Sequence, residues 1–295
     1  MGYYTNKVAV VTGAGSGLGR ALALDLGTRG AKLAVSDING ETVAETARLL
    51  DAAGVEVLHR QLDVSDGATM RAHAAEVNAR FGVIHQIYNN AGLTVGEKPL
   101  VRTKNADFLG VFRVNLWGVI HGTRTFLPYL IESGAGLVCN ISSINGFLAM
   151  GQASAYSASK FAVRGFTESV QVEMLDARHP VQVSLVLPGG IATNIVRMLP
   201  PDFDQLSPER QAQVRHAIDL HYETMLRMSP EAAAKKILDR VARGRWRILI
   251  TPRAFWLDLL VRAFPGQYPR LVAGFQRRFR ARQKAGPKGS GAGKA

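Results

Sequence analysis

The chain has 295 residues, of which 47% are hydrophobic and 20% charged, with a formal net charge of +13. This composition can fill a hydrophobic core, and it excludes disordered, collagen-like and disulfide-stabilised classes of protein. The only cysteine, Cys139, lies in an apolar run that predicts a buried strand thiol, so the sequence does not call for an oxidising compartment.

Short apolar runs alternate with longer segments of helical periodicity as far as Leu187. Strands are predicted at 7–12, 32–36, 55–61, 85–88, 137–141 and 181–187, and helices at 17–29, 40–53, 66–81, 105–131 and 153–178. The strands are apolar throughout rather than at every second residue, as a sheet buried on both faces requires. The sequence therefore predicts an α/β fold in one domain, with a doubly wound, Rossmann-type parallel sheet.

The pattern changes after Leu187. Ser207-Pro208 and Ser229-Pro230 each pair a favoured N-cap residue with a favoured first helical residue, which predicts two more helices. A last strand is predicted at 247–251, followed by helical segments at 254–264 and 268–282. We divide the chain into a dinucleotide-binding catalytic domain (1–252), a basic amphipathic helical C-terminal extension (253–283) and a disordered tail (284–295).

A glycine-rich turn joins the first strand to the first helix. It reads Thr12-Gly13-Ala14-Gly15-Ser16-Gly17-Leu18-Gly19. Glycines there let backbone amides approach a pyrophosphate, which the N-terminus of the helix also attracts. Asp37 ends the second strand, where an acidic residue binds the adenosine ribose of a dinucleotide. A glycine-rich turn without a ligand is the alternative, but it does not account for Asp37.

Tyr156 and Lys160 are four residues apart on a predicted helix, so their side chains lie one turn apart on one face. For a phenol to act as acid or base at neutral pH, its pKa must fall by roughly 3 units, or about 4 kcal/mol. A neighbouring ammonium group and a nicotinamide cation supply charge of the right sign. The spacing alone is also common on helix surfaces.

The full set of motifs resembles the short-chain dehydrogenase/reductase family over roughly residues 5–252. The motifs that carry the resemblance are Thr12-Gly13 with Gly17 and Gly19, Asn89-Asn90-Ala91-Gly92, Asn115, Ser143, Tyr156 with Lys160, and Pro188-Gly189 with Thr193. Six motifs in one order are far more specific than any one of them.

The resemblance implies a role for each catalytic residue. Tyr156 exchanges a proton with the substrate oxygen, and Ser143 hydrogen-bonds that oxygen. Lys160 holds the nicotinamide ribose and lowers the pKa of Tyr156, while Asn115 positions a water for proton relay. Asn89 is expected to join strands rather than bind substrate. No Cys/His spacing suggests a metal, and we expect none.

The resemblance also implies a cofactor site. Asp63 and Val64 flank the adenine. The complete set of expected cofactor-binding residues is Thr12, Gly13, Gly15, Ser16, Gly17, Leu18, Gly19, Asp37, Asp63, Val64, Asn90, Ala91, Gly92, Tyr156, Lys160, Pro188, Gly189, Ile191 and Thr193. Asp37 would repel a 2′-phosphate, and Ser16 and Ile38 stand where NADP-using relatives keep a basic residue. NAD is therefore favoured over NADP.

The expected substrate wall is mainly apolar, and no arginine is placed to bind a carboxylate. The residues expected to contact substrate are Ser143, Phe147, Met150, Gln152, Tyr156 and Ile195. We expect an NAD-dependent alcohol dehydrogenase or carbonyl reductase acting on a lipophilic secondary alcohol or ketone, as a homodimer or homotetramer. The alternatives are a membrane-associated lipid or steroid carbonyl reductase and a non-catalytic nucleotide-binding scaffold, against which the complete catalytic set argues.

The extension alternates large apolar residues with arginines. It can lie peripherally on an anionic membrane through 253–283, or pack over the pocket or a partner subunit. Nucleic-acid binding is a weaker interpretation, because no recognition motif accompanies the charge. The N-terminus has neither a signal-peptide nor a myristoylation pattern, so we expect a cytoplasmic protein, with peripheral membrane association as the alternative.

Overall fold

The structure is a computed structural model that describes residues 2–96, 98–192, 203–225 and 228–284. The strands are β1 (Val8–Thr12), β2 (Lys32–Asp37), β3 (Val57–Gln61), β4 (Gln86–Asn89), β5 (Gly136–Ile141), β6 (Val181–Val186) and β7 (Arg247–Ile248). In the described chain they form one sheet in the order β3-β2-β1-β4-β5-β6-β7, and every pairing is parallel. The predicted doubly wound fold is confirmed.

Helices cover both faces of this sheet. They are α1 (Gly17–Thr28), α2 (Gly40–Ala52), α3 (Gly67–Phe81), α4 (Asn105–Phe112), α5 (Gly118–Glu132), α6 (Ser154–Asp176), α7 (Pro208–Met225), α8 (Pro230–Val241), α9 (Pro252–Ala263) and α10 (Tyr268–Lys284). Ser229 caps α8 as predicted, accepting a hydrogen bond from the backbone of Ala232 at 3.2 Å.

Successive residues of β1 face opposite layers of the core. Ala9 and Val11 pack in the layer that contains α1 and α8, whereas Val8 and Val10 pack in the layer that contains α3, α5 and α6. Both sets are buried. The unbroken apolar strands thus reflect burial on two sides. Cys139 in β5 is buried as predicted, and burial raises the pKa of its thiol.

Two predicted elements differ from the structure. The helix predicted at 105–131 is interrupted by a π-helical turn over Arg113–Trp117, which separates α4 from α5. The strand predicted at 247–251 ends at Ile248, because Thr251 instead caps α9 and Pro252 occupies its first turn.

The C-terminal extension packs on the body of the domain. Leu257 and Val261 of α9, with Val272 of α10, pack against a small buried cluster that includes Phe147 and Leu187. This contact agrees with the expectation that the extension covers the body. The described residues contain no helix with the length and apolar character needed to cross a bilayer. The tail from residue 285 lies outside the described residues.

An ion pair fixes α9 to the edge of the sheet. The Arg247 guanidinium donates two hydrogen bonds to the Asp258 carboxylate, each 2.7 Å long. Both side chains are only 10% exposed. Burial alone would raise the pKa of Asp258, but Arg247 and then Arg262 hold it below its usual range.

Candidate active site

The glycine-rich turn lies at the carboxyl ends of β1 and β4, where the strand order of the sheet reverses. Parallel α/β sheets bind ligands in this crevice. Gly13 has a φ of +65°, and a Cβ at this position would lie 2.7 Å from the Ala91 Cα. A Cβ on Gly19 would meet the Gly13 carbonyl oxygen. Only glycine keeps this turn close to the end of β4.

Thr12 and Asn90 lock the turn to β4. The Thr12 hydroxyl accepts hydrogen bonds from the backbone of Asn90 at 3.1 Å and of Ala91 at 3.2 Å. The Asn90 side chain donates to the carbonyl oxygens of Thr12 and Gly13, at 3.0 and 3.1 Å. Both residues, which the sequence analysis assigned to the cofactor site, therefore fix the turn to the end of β4.

The N-terminus of α1 is open to an anion. Ser16 is the N-cap residue, but its side chain makes no capping hydrogen bond, and the first turn contains no acidic residue. Its amides and positive dipole end therefore suit a pyrophosphate. Asp37 lies beside this turn and accepts a hydrogen bond from the Gly15 amide at 2.9 Å. The shape and the charge of these residues fit a dinucleotide.

The rest of the predicted cofactor rim is made of backbone turns. The Asp63 carboxylate accepts a hydrogen bond from the Ser65 amide at 2.9 Å, and the neighbouring Val64 is buried. On the opposite side, the Pro188 carbonyl accepts from the Ile144 amide at 2.8 Å, and Ile191 is buried. Gly17 and Leu18 begin α1, Gly92 follows β4, and Gly189 is next to Pro188, whereas Thr193 falls outside the described residues.

Tyr156 and Lys160 share the first turns of α6. The Lys160 ammonium lies 5.8 Å from the centre of the Tyr156 ring and donates to the Ile141 carbonyl at 3.0 Å. Burial lowers the pKa of Lys160 to about 8. Burial raises the pKa of Tyr156, and hydrogen bonding with Ser143 opposes that rise. The protein groups alone therefore do not produce the expected fall in the pKa of Tyr156, because burial penalises the phenolate.

The π-helical turn holds Asn115 inside the site. Its side chain is fully buried, accepts from the Leu93 amide at 2.8 Å, and donates to the Leu93 carbonyl and to the Ser159 hydroxyl, both at 3.0 Å. Turns of this kind recur at functional sites. Here the turn places Asn115 between the segment after β4 and α6. The periodicity of the sequence did not indicate a π-helical turn at this position.

The predicted substrate residues separate into two groups. Gln152 has a φ of +67°, and its carbonyl accepts from the Lys98 amide at 2.8 Å, so it forms a strained turn just before Tyr156. Gln152 and Tyr156 line a small pocket together with Val95. Phe147 is buried under the extension with the partly buried Met150, and the contact of both residues with substrate stays a prediction. Ile195 lies outside the described residues.

Sequence reasoning missed one contact at this edge of the site. The Gln276 side chain of α10 donates to the Gly151 carbonyl at 3.0 Å and accepts from the Gly151 amide at 3.2 Å. It thereby fixes the backbone next to Gln152. No local pattern links positions 125 residues apart.

Asn89 joins strands as expected. Its side-chain amide donates to Asn140 of β5 at 2.8 Å and to Thr123 of α5 at 3.1 Å.

A wider groove of about 440 Å³ lies elsewhere, between α6 and the start of the extension, with Trp246 in its lining. It contains none of the residues of the catalytic constellation. The described residues hold no cluster of three metal-ligating side chains.

Comparison with known proteins agrees with this geometry. Residues 7–203 match the family model described as short chain dehydrogenase. The provisionally named oxidoreductase SadH of Mycobacterium tuberculosis is 44% identical over 273 residues, which cover 92% of this chain and 96% of that protein. Levodione reductase of Leifsonia aquatica is 36% identical over 212 residues, covering 71% and 79%.

A solved structure is similar over most of its length. It is a short chain dehydrogenase/reductase from Burkholderia phymatum in complex with NAD. The two chains share 32% identity and superpose with a TM-score of 0.80, over 90% of this chain and 95% of the other.

Proposed function

This chain belongs to the short-chain dehydrogenase/reductase family and is an oxidoreductase, and from that premise we propose that it transfers a hydride between NAD(H) and a lipophilic secondary alcohol or ketone. The observation that carries the proposal is the pairing of Tyr156 and Lys160 beside Ser143, at the end of the sheet where the glycine turn lies. Screening NAD reduction against a panel of lipophilic secondary alcohols tests it. A folded protein that binds NAD but oxidises none of them would favour a non-catalytic scaffold.

Tyr156 is the proton-exchanging residue in this proposal. In oxidation its phenolate oxygen accepts the alcohol proton, and in reduction its phenol returns a proton to the carbonyl oxygen. Ser143 donates a hydrogen bond to the same substrate oxygen. When bound, the nicotinamide would accept or donate the hydride and, in its oxidised form, place a positive charge beside the phenol.

Lys160 and Asn115 support this step. The ammonium group of Lys160 stabilises the phenolate electrostatically and suits the ribose hydroxyls of a dinucleotide. Asn115 hydrogen-bonds the backbone of Leu93 and the hydroxyl of Ser159 on α6. It therefore fixes the segment after β4 relative to the helix that carries Tyr156 and Lys160. In this account Asn115 also positions the water that relays the proton.

We expect Lys160→Met to move the rise of alcohol oxidation to higher pH. The Lys160 ammonium lies beside the Tyr156 ring, and a positive charge at this position favours the phenolate over the phenol. Removing the ammonium therefore raises the pKa of Tyr156, so the phenolate forms at a higher pH. The pH profile of kcat measures the shift. An unchanged midpoint in Lys160→Met, matched to the exposed control Lys236→Met, would contradict the role of Lys160.

The proposed cofactor is NAD rather than NADP. The Asp37 carboxylate lies against Gly15 in the cofactor turn and would repel a 2′-phosphate, and the adjacent Ile38 is exposed. The NAD-bound structure from Burkholderia phymatum supports this choice.

Combining Asp37→Ala with Ile38→Arg is expected to shift the ratio of kcat/KM toward NADP by at least about tenfold. The double change removes the repulsion and adds a charged phosphate partner, for which a hydrogen bond is worth about 1.5–3 kcal/mol. NAD turnover should fall too, because Asp37 also holds the Gly15 amide. Ile38→Ala is the control and should keep the preference for NAD. A wild-type enzyme that already prefers NADP would refute the assignment.

The proposed substrate class and assembly follow from the site and the surface. A lipophilic ketone or alcohol is proposed from the mainly apolar wall that the sequence predicts, and Val95 lies with Gln152 in the lining of the small pocket beside Tyr156. We also propose a homodimer or homotetramer, supported by the exposed rings of Trp117 beside α5 and Phe161 on α6.

A further inference from the structure

Helix α9 is apolar on two opposite sides. Its inner side carries Ala254, Leu257 and Val261, which face the body at helical spacing. Its outer side exposes three large apolar side chains. They are Phe255 at 54%, Trp256 at 64% and Leu259 at 47%. A surface helix normally exposes polar residues on this side, so the outer side has the character of an interaction surface.

We define the outer face as Phe255, Trp256 and Leu259, which are all exposed. Phe255 and Trp256 contact each other edge to face, with ring centres 5.6 Å apart. Large aromatic and aliphatic side chains exposed on one helix form the apolar side of an interfacial helix.

The segment that carries the outer face is strongly basic. Residues 245–284 contain ten arginines and lysines and one acidic residue, Asp258. Asp258 pairs with the buried Arg247 and with the exposed Arg262, so it offsets only part of this positive charge. On α10, Arg270, Arg277 and Arg278 are exposed. A partner for this region must therefore be both apolar and anionic.

A second copy of the chain does not meet that requirement. A two-fold contact through the outer face would bring the same basic region of each copy together, and like charges in an interface cost several kcal/mol. A nucleic acid would satisfy the arginines but would leave Leu259 and the rest of the apolar surface poorly matched. An anionic lipid surface offers acyl chains and negative headgroups together.

We propose that the outer face of α9 docks on the surface of a membrane that contains anionic lipid. The 12 residues of α9 span about 18 Å, well short of a hydrocarbon core of about 30 Å. The helix therefore lies along the surface, with its aromatic side chains below the headgroups and the arginines of the extension among them. The inner side stays packed on the enzyme, so membrane docking and packing on the body are compatible.

The docked helix is connected to the substrate side of the molecule. Leu257 and Val261 on its inner side pack in the cluster that contains Phe147 and Met150, a few residues before Tyr156. Gln276 of α10 holds Gly151 in the same segment. When α9 is docked, the segment before Tyr156 would therefore lie close to the membrane surface.

Co-sedimentation of the full chain with vesicles tests the proposal. We expect binding to phosphatidylcholine vesicles that contain phosphatidylglycerol, weak binding to phosphatidylcholine alone, and a loss of binding at high salt. Trp256→Ala with Leu259→Ala should reduce partitioning by about tenfold or more, since two large apolar groups no longer insert. Val172→Ala with Leu175→Ala is the matched control, because these apolar side chains on α6 are at least as exposed, and it should bind like wild type.

A second readout separates insertion from simple charge attraction. In a Trp117→Phe, Trp246→Phe background, Trp256 is the remaining tryptophan, and its emission should shift to shorter wavelength on the anionic vesicles. Thermal unfolding checks that the Trp256→Ala, Leu259→Ala variant is folded. Equal binding of this variant and wild type would overturn the proposal, as would an absent emission shift. A concentration-dependent dimer that this variant abolishes would assign the outer face to a second copy instead.

Discussion

Replacing Tyr156 with phenylalanine is expected to lower turnover by about 10²–10⁴-fold, or roughly 3–5 kcal/mol in activation free energy. The substitution removes the exchangeable phenolic proton and keeps the ring. NAD affinity should change little, because the backbone and Lys160 remain in place. Tyr156 lies beside the lysine that would stabilise its phenolate, and a phenylalanine ring has no proton to exchange in its place.

Steady-state kinetics with the best alcohol of the panel, together with NAD binding by fluorescence, measure these two effects separately. Tyr129→Phe on α5 is the matched control, since it removes a phenolic hydroxyl outside the site. A Tyr156→Phe enzyme with near wild-type turnover would reject the mechanism. A parallel loss of NAD binding would show instead that the ring or its surroundings had moved.

Replacing Asp258 with leucine is expected to destabilise the protein by about 3–5 kcal/mol, because it leaves the buried Arg247 guanidinium without its carboxylate. The cost of that uncompensated charge exceeds the gain from a larger apolar side chain. The pair connects β7 to α9, so the loss should also release the extension from the body.

The double variant Arg247→Met, Asp258→Leu removes both charges and should recover most of the stability. Glu45→Ala breaks an exposed ion pair with Arg48 and should cost no more than about 1 kcal/mol. Urea unfolding curves of the four proteins give these differences. An Asp258→Leu midpoint equal to that of wild type would mean that the extension is not held to the sheet as described.

The sheet was predictable because both of its faces are buried. A strand such as β1 is then apolar at successive positions, here Val8 to Val11, and that pattern is visible without knowledge of the fold. The glycine turn and the Tyr156–Lys160 pair were equally accessible, since each is a local arrangement within one turn or one helix.

Features that depend on distant contacts could not be predicted in this way. A π-helical turn has nearly the same apolar pattern as an α-helix, so the interruption at Arg113–Trp117 left no sign in the sequence. Phe147 belongs to an apolar segment that fits a pocket wall or a buried cluster, and the sequence does not show that the extension packs on it. The extension itself is apolar on two sides of α9, so periodicity did not reveal which side meets the body.

Transfer of a deuterium label tests the central proposal most directly. Wild-type enzyme is incubated with NAD and a lipophilic secondary alcohol deuterated at its carbinol carbon, and the reduced cofactor is analysed by mass spectrometry. We expect one deuterium per molecule of reduced cofactor, independent of the solvent, because the hydride passes directly between carbon atoms. Reduced cofactor that carries solvent hydrogen, or no reduction with any alcohol of the panel by a folded, NAD-binding protein, would contradict it.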